Sequence, residues 1–198
     1  MNMWEIESAL RAEGKTVICG VDEAGRGPLA GPVCAAAVIL PFGLEIDGLD
    51  DSKKLTAKKR DRLYDEIYAK AVAVGVGFAD RLEIDELNIL NATYLAMNRA
   101  MMTLAQGFDI AIIDGNRDEG IEYPCVTAVG GDGRSASVAA ASIIAKVTRD
   151  RLMEKLDEKY PGYGFSRHKG YGTKEHYAAI RALGPCPEHR ETYLRKMH

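Results

Sequence analysis

The run Val17-Ile18-Cys19-Gly20-Val21-Asp22-Glu23-Ala24-Gly25-Arg26-Gly27-Pro28 passes from five apolar residues to two adjacent carboxylates and then to an arginine held between glycines. Continuous apolar, β-branched sequence suits a strand buried on both faces, so Asp22 and Glu23 are expected to emerge at its end. Side chains alternate along a strand, so the two acids cannot point the same way in a regular pleat, and one of them is expected where the pleat has ended. The glycines that follow permit positive φ and close approach of another backbone, and an arginine between them can aim its donors at a phosphate. Carboxylates that bind a cation, set beside backbone that admits a polyanion, form a metal-and-phosphate signature.

A chain of 198 residues suits one domain, or one domain with an extension, and can bury a sizeable core. It has no apolar run long enough to span a membrane, and its first residues lack the basic and then apolar regions of a signal peptide, so a cytoplasmic location is expected. The four cysteines, Cys19, Cys34, Cys125 and Cys186, lie far apart without Cys-x-x-Cys spacing, which implies neither a zinc site nor a disulfide framework. A net charge of −3 argues against a protein that coats nucleic acid indiscriminately. The distribution is more telling. Ser52 to Lys70 carries seven basic residues against three acidic ones, and Gly164 to His198 repeats that ratio, so the remaining body is strongly acidic. Carboxylates that hold metal and basic elements that hold phosphates would segregate in this way. Lys58, Lys59, Arg60 and Arg62 read mostly as a solvated helix face.

Further strands are expected at Val33 to Leu40, joined to the first as a hairpin, at Ala71 to Phe78, at Ile110 to Asp114 and at Pro124 to Val129. A helix is expected near Thr56 to Lys70. Leu87, Leu90, Tyr94, Met97, Met101 and Leu104 recur at steps of three and four as the apolar stripe of one helix stopped by Gly107. Ser137 to Tyr160 reads as a long helix with Ser137 as N-cap and Pro161-Gly162 as its stop, and Thr173 to Leu183 as another. In the long helix, Ser142, Lys146 and Arg149 share one face of an otherwise apolar element. Basic groups there need an anion, either a structural carboxylate or a phosphate. Strands followed by alternating helices and strands give an α/β fold with a mixed sheet. Asp22, Glu23 and Asp114 lie at strand ends and Asp132 in a Gly-rich turn. If the strands are neighbours their oxygens converge, and hard oxygen ligands without His or Cys select Mg²⁺ or Mn²⁺.

Several segments together resemble the motifs of bacterial ribonuclease HII, of the type 2 RNase H family. They are Asp22 to Val33, Asp51-Ser52-Lys53-Lys54-Leu55, Ile113-Asp114-Gly115, Gly131-Asp132, Ala140 to Asp150 and His168-Lys169-Gly170-Tyr171-Gly172-Thr173, in the family's order from about Val17 to Leu183. The resemblance implies an RNase H-like fold, with a mixed five-stranded sheet flanked by helices over residues 1–160 and a C-terminal helical extension over residues 161–198. It implies cleavage of RNA in RNA·DNA hybrids and incision 5′ to single ribonucleotides in duplex DNA, giving 3′-OH and 5′-phosphate ends. The four acidic active-site positions fall on Asp22, Glu23, Asp114 and Asp132, with two divalent cations as cofactors. The motif that reads the 2′-OH falls on Gly25, Arg26 and Gly27, and the tyrosine that stacks on the following deoxyribose falls on Tyr171. Asp150 is a rival for the fourth carboxylate, though an ion pair suits it better, and Tyr163 is a rival for the stacking role. Lys53, Ser142, Lys146 and Arg149 are substrate-contact candidates, and His168 is structural or close to a phosphate. The expected partner is an RNA·DNA hybrid or a ribonucleotide-containing duplex, met by a monomer without an obligate protein partner or a membrane.

Two readings from other classes compete. Another metal-dependent phosphatase or nuclease would keep the acids but has no need of Gly25-Arg26-Gly27 with Tyr171. A binding module without catalysis would need the basic segments and not the acids. No Gly-Lys-Ser/Thr follows the glycines, which excludes a P-loop.

Overall fold

The computed structural model describes residues 2–49 and 55–195. Five strands, β1 (Ile18–Ala24), β2 (Val33–Ile39), β3 (Ala73–Ala79), β4 (Ile110–Asp114) and β5 (Cys125–Ala128), form one sheet in the order β3-β2-β1-β4-β5. The first three are antiparallel neighbours, whereas β4 runs parallel to β1 and β5 parallel to β4. This mixed sheet puts the carboxyl ends of β1 and β4 side by side, the end at which open α/β sheets assemble their sites.

Helices cover both faces. On one side α3 (Arg81–Leu87) and α4 (Ile89–Met102) bury Ile84, Ala92, Ala96, Met97 and Met101 against Cys19, Val21 and Ile113. On the other, α2 (Ala57–Lys70) and the 24-residue α5 (Ala136–Lys159) bury Leu63, Ile67, Ile143 and Ile144 against Ala36 and Val38. Each Leu, Ile or Met side chain among them contributes about 1.5–3 kcal/mol of hydrophobic stabilisation, and each alanine less. The alanine-rich first half of α5 lets helix and sheet approach closely. Opposite it, a Cβ on Gly20 would lie 2.1 Å from the Ser137 carbonyl carbon, so any larger residue would push α5 off β1. Cys19 and Cys34 are core residues, their thiols pushed up to about 12 by burial.

Three details differ from the sequence expectation. The stripe from Leu87 to Leu104 is two helices, not one, because Asn88 adopts φ 69° and accepts hydrogen bonds from the Leu90 and Asn91 N–H groups, which starts α4 afresh. The N-cap of α5 is Ser135, whose hydroxyl accepts from Val138 N–H, while Ser137 is already helical. A short helix α1 (Glu5–Ala12) precedes the sheet, and its buried Glu7 accepts from the Ser135 hydroxyl and the Ser137 N–H, tying α1 to the start of α5. Beyond α5, the short α6 (Phe165–His168), α7 (Lys174–Leu183) and α8 (Glu191–Leu194) pack Phe165 and Tyr163 on Met153 and Leu156 and return to the loop between β1 and β2. Among the described residues no helix is long and apolar enough to cross a membrane.

Candidate active site

β1 stays paired through Asp22 and Glu23, opposite Ala36 and Ala35, so neither acid lies beyond the pleat as the alternation argument expected. The strand instead points them to opposite faces of the sheet edge. Asp22 faces α5, where the Ser142 hydroxyl reaches its carboxylate, and a second carboxylate oxygen contact comes from the Glu23 N–H at 2.7 Å. Glu23 faces the α4 side, beside Leu90 and Met97. Asp114 ends β4, and its Oδ1 accepts the Gly131 N–H at 2.8 Å. That bond holds the 3₁₀ turn Gly131–Gly133, which brings the buried Asp132 to the same end of the sheet. Burial, together with the neighbouring charges of Glu23 and Asp114, pushes the Asp22 carboxyl well above the usual range, against the lowering effect of its Ser142 and Glu23 N–H bonds. Among the described residues no three His, Cys, Asp or Glu side chains stand close enough together to hold a metal ion as they are, and the carboxylates of Asp22, Glu23 and Asp114 repel one another. A divalent cation would relieve that repulsion, and an all-oxygen donor set suits Mg²⁺ or Mn²⁺.

The loop after β1 is held by two buried arginines. Arg149 is inaccessible to solvent and donates to the carbonyls of Pro32, Ala30 and Lys169 at 2.9, 3.2 and 3.0 Å. It is therefore a structural clamp and not a phosphate contact: its charge is met by carbonyl dipoles, an option the expectation of a buried anion left out. Gly25 has φ +100°, and a Cβ there would lie 2.0 Å from Arg149 Nε, which its three carbonyl partners keep from moving away. Arg190, equally buried, donates to Gly31 O, Arg26 O and Gly25 O, and the Tyr193 hydroxyl adds a 2.8 Å bond to Arg26 O. With its backbone fixed on both sides, Arg26 leaves its guanidinium half exposed and 3.4 Å from Glu23. Gly27 lies against Tyr171, whose ring is 3.5 Å from where a glycine Cβ would stand and is 45 % exposed.

The remaining expected residues separate clearly. Ser142 is buried and bonded to Asp22, so it orients a carboxylate and does not meet substrate directly. Lys146 pairs with Asp150 at 2.7 Å, so Asp150's ion pair is with the lysine one turn earlier, not with Arg149. Lys146 still lines a cleft of about 580 Å³ with Arg60, Arg151, Arg167 and Lys169. Tyr163 is buried, stacked on Phe165, and donates its hydroxyl to Gly184 O. His168 is structural: it accepts from the Gly170 N–H and meets Tyr163 O. Lys53 lies outside the described residues.

Residue patterns did not single out Arg190, Tyr193, His176 or His189. The last two form a buried chain: Cys186 N–H donates to His189 Nδ1, His189 Nε2 meets His176 Nε2 at 3.0 Å, and His176 Nδ1 meets Tyr171 O at 3.0 Å. One proton between the two facing nitrogens satisfies these three contacts with both rings neutral. Burial depresses both, His176 to about 4, and the chain ties Tyr171 to the C-terminal segment.

Residues 19–198 match the family model "Ribonuclease HII". The curated Ribonuclease HII of Geobacter sulfurreducens is 54 % identical over 191 residues, covering 96 % of this chain and 88 % of that protein. The Ribonuclease HII of Acetivibrio thermocellus is 53 % identical over 195 residues, covering 98 % of this chain and 75 % of that one. The crystal structure of the ribonuclease H2 of Pyrococcus horikoshii superposes with a TM-score of 0.75 at 29 % identity, covering 92 % of this chain and 97 % of that one. Clustered acids at the carboxyl ends of β1 and β4, an RNase H-like sheet and family similarity along nearly the whole chain lead to one assignment: the chain belongs to the ribonuclease HII family and is a hydrolytic nuclease with ribonuclease H activity on RNA·DNA hybrids.

Proposed function

We propose that the chain also incises 5′ to single ribonucleotides embedded in duplex DNA, leaving 3′-OH and 5′-phosphate ends, and that it does so with two divalent ions, Mg²⁺ or Mn²⁺. One observation carries this reading: the clamped Gly25-Arg26-Gly27 loop touches Glu23 through Arg26 and Tyr171 through Gly27, which would set it against the sugar whose 2′-OH distinguishes a ribonucleotide from a deoxyribonucleotide. Asp22, Glu23, Asp114 and Asp132 would hold the cations. Their chemistry would be to lower the pKa of an attacking water and stabilise the leaving oxygen of an in-line displacement.

The chain's own residues supply binding and selection. Gly27 has no Cβ, so backbone can lie directly against a ribose, and Arg26 presents a planar donor set to the adjoining phosphate. Tyr171 offers an exposed ring on which the next sugar can stack, and a deoxyribose fits there without the clash of a 2′-OH. Ser142 keeps the Asp22 carboxylate turned toward the site. The cleft sets Lys146, Arg60, Arg151, Arg167 and Lys169 against Asp61, Asp150 and Glu154, a positive balance that would meet the duplex backbone and position the substrate without reading sequence. On this reading residues 1–160 carry the reacting groups and residues 161–198 act as an extension that fixes the reading loop and Tyr171.

The test is incubation of purified protein with duplexes carrying zero, one or four ribonucleotides, with Mg²⁺, Mn²⁺ or chelator. Cleavage is expected of both ribonucleotide-containing duplexes with either ion and of nothing in chelator. Cleavage confined to the four-ribonucleotide duplex would remove the single-ribonucleotide reading.

A further inference from the structure

A second recess adjoins the acids on the α4 side of the sheet. It encloses about 210 Å³, with Leu90, Met97 and Ile113 as apolar lining, Glu23 and Asp114 at one edge and Arg26 and Arg117 among its polar groups. Tyr171 does not line this recess; it packs against Gly27, the residue after the Arg26 that does.

Arg117 comes three residues after Asp114, is exposed, and takes part in no ion pair among the described residues. The Tyr94 hydroxyl on the same wall is already donated to Glu119 at 2.9 Å, and the Arg117 charge acts on Glu119 as well, but no hydrogen bond among the described residues holds the guanidinium, so its donors can turn to a ligand. An anion entering the recess meets repulsion from Glu23 and Asp114, and the Arg117 guanidinium supplies compensating attraction. A guanidinium binds a phosphate through two parallel hydrogen bonds, and the apolar lining accepts the face of a sugar.

We propose that this recess binds the nucleotide flanking the cut in the cleaved strand, on the opposite side of the scissile phosphate from the sugar facing Tyr171, and that Arg117 holds its phosphate. The inference rests on the nuclease reading above. It assigns the strand two anchors, Tyr171 on one side of the acids and Arg117 on the other, so that the scissile phosphate is fixed in register between them.

The test is binding in chelator, where no cleavage occurs, of duplexes with one ribonucleotide and a single uncharged methylphosphonate moved along the linkages flanking it. Wild type is expected to lose about tenfold in affinity at one linkage on the side away from Tyr171. Arg117→Ala should bind the all-phosphate duplex about tenfold more weakly and be indifferent to the methylphosphonate at that linkage. Its log–log salt slope should fall by about one unit. Arg117→Lys should recover part of both, which separates a lost charge from a disturbed fold. If Arg117→Ala keeps the wild-type response to every neutral linkage, Arg117 meets no phosphate and the proposal is overturned. A wild type that cleaves no ribonucleotide-containing duplex in Mg²⁺ or Mn²⁺ would overturn the nuclease reading instead, whatever Arg117 does in these binding measurements.

Discussion

At the scale of single residues, charge without bulk is the quantity to change. Asp22→Asn and Asp114→Asn each remove a negative charge and almost no volume, and the amide oxygen introduced by Asp22→Asn would still accept from the Glu23 N–H. Both variants should lose cleavage by at least about a thousandfold, some 4 kcal/mol at 1.4 kcal/mol per decade, and still bind hybrid. Near-wild-type rates at saturating Mg²⁺ would contradict the assignment of these acids. On the proposed function, Tyr171 acts on selection and not on the reaction itself. Its ring is exposed at Gly27, and stacking of this kind is worth roughly 1–3 kcal/mol. Tyr171→Ala should therefore cost about tenfold to a hundredfold on a single-ribonucleotide duplex and less on an all-RNA strand, which presents no junction to prefer. Equal losses on the two substrates would reduce Tyr171 to a support for the fold.

At the scale of elements, the buried arginines show where local sequence stops being informative. The strands were legible because they are short apolar runs bounded by turn residues, and β1 and β4 were legible down to their terminal acids. The face of α5 was legible too, since Ser142, Lys146 and Arg149 do lie along one side. Their partners were not. Arg149 finds three carbonyls in segments more than a hundred residues earlier and twenty residues later, and nothing in its own neighbourhood encodes that. Asn88 was hidden for the opposite reason: the apolar stripe runs through it unbroken, while a single left-handed residue divides the helix. Asp22 and Glu23 were correctly placed at the end of β1, but the pairing with β2 outlasts the apolar run, so both stay in the pleat.

The clamp has a consequence that separates α5's two basic residues. Arg149→Ala leaves three carbonyls without their donor and opens the volume under Gly25, a loss of at least about 3 kcal/mol, so its thermal midpoint should fall by several degrees. Lys146→Ala removes a partly exposed ion pair worth about 0–1 kcal/mol and should leave the midpoint nearly unchanged while lowering the salt slope of hybrid binding by about one unit. The reverse pattern, measured by thermal unfolding and salt titration of the two variants, would contradict the burial seen for Arg149.

At the scale of the whole molecule, the C-terminal segment is stitched to the catalytic sheet by Arg190, Tyr193 and the His176–His189 chain, all buried or bonded to the loop between β1 and β2. This carries a pH signature. His176 is held at about 4 when folded and returns to about 6.5 when unfolded, so the unfolded chain takes up a proton first as pH falls. The contribution is present in full above about pH 6.5 and is lost progressively down to about pH 4, on the order of 3 kcal/mol across that window. His189 is depressed in the same direction and for the same reason, which adds to the slope. Denaturant midpoints should therefore decline between pH 6.5 and 5, before most carboxylates titrate. A midpoint constant across that interval would contradict the neutral pairing.

On the function proposed above, one end of this sheet joins a carboxylate centre to a loop that senses a 2′-OH. Single-nucleotide mapping of the products from a DNA duplex carrying one internal ribonucleotide, with Mg²⁺ present and with chelator, measures both halves of that arrangement at once. One cut is expected, immediately 5′ of the ribonucleotide, with a 3′-OH upstream and a 5′-phosphate downstream, and no product in chelator. A cut 3′ of the ribonucleotide, cleavage of the all-DNA control, or cutting that persists in chelator would contradict it.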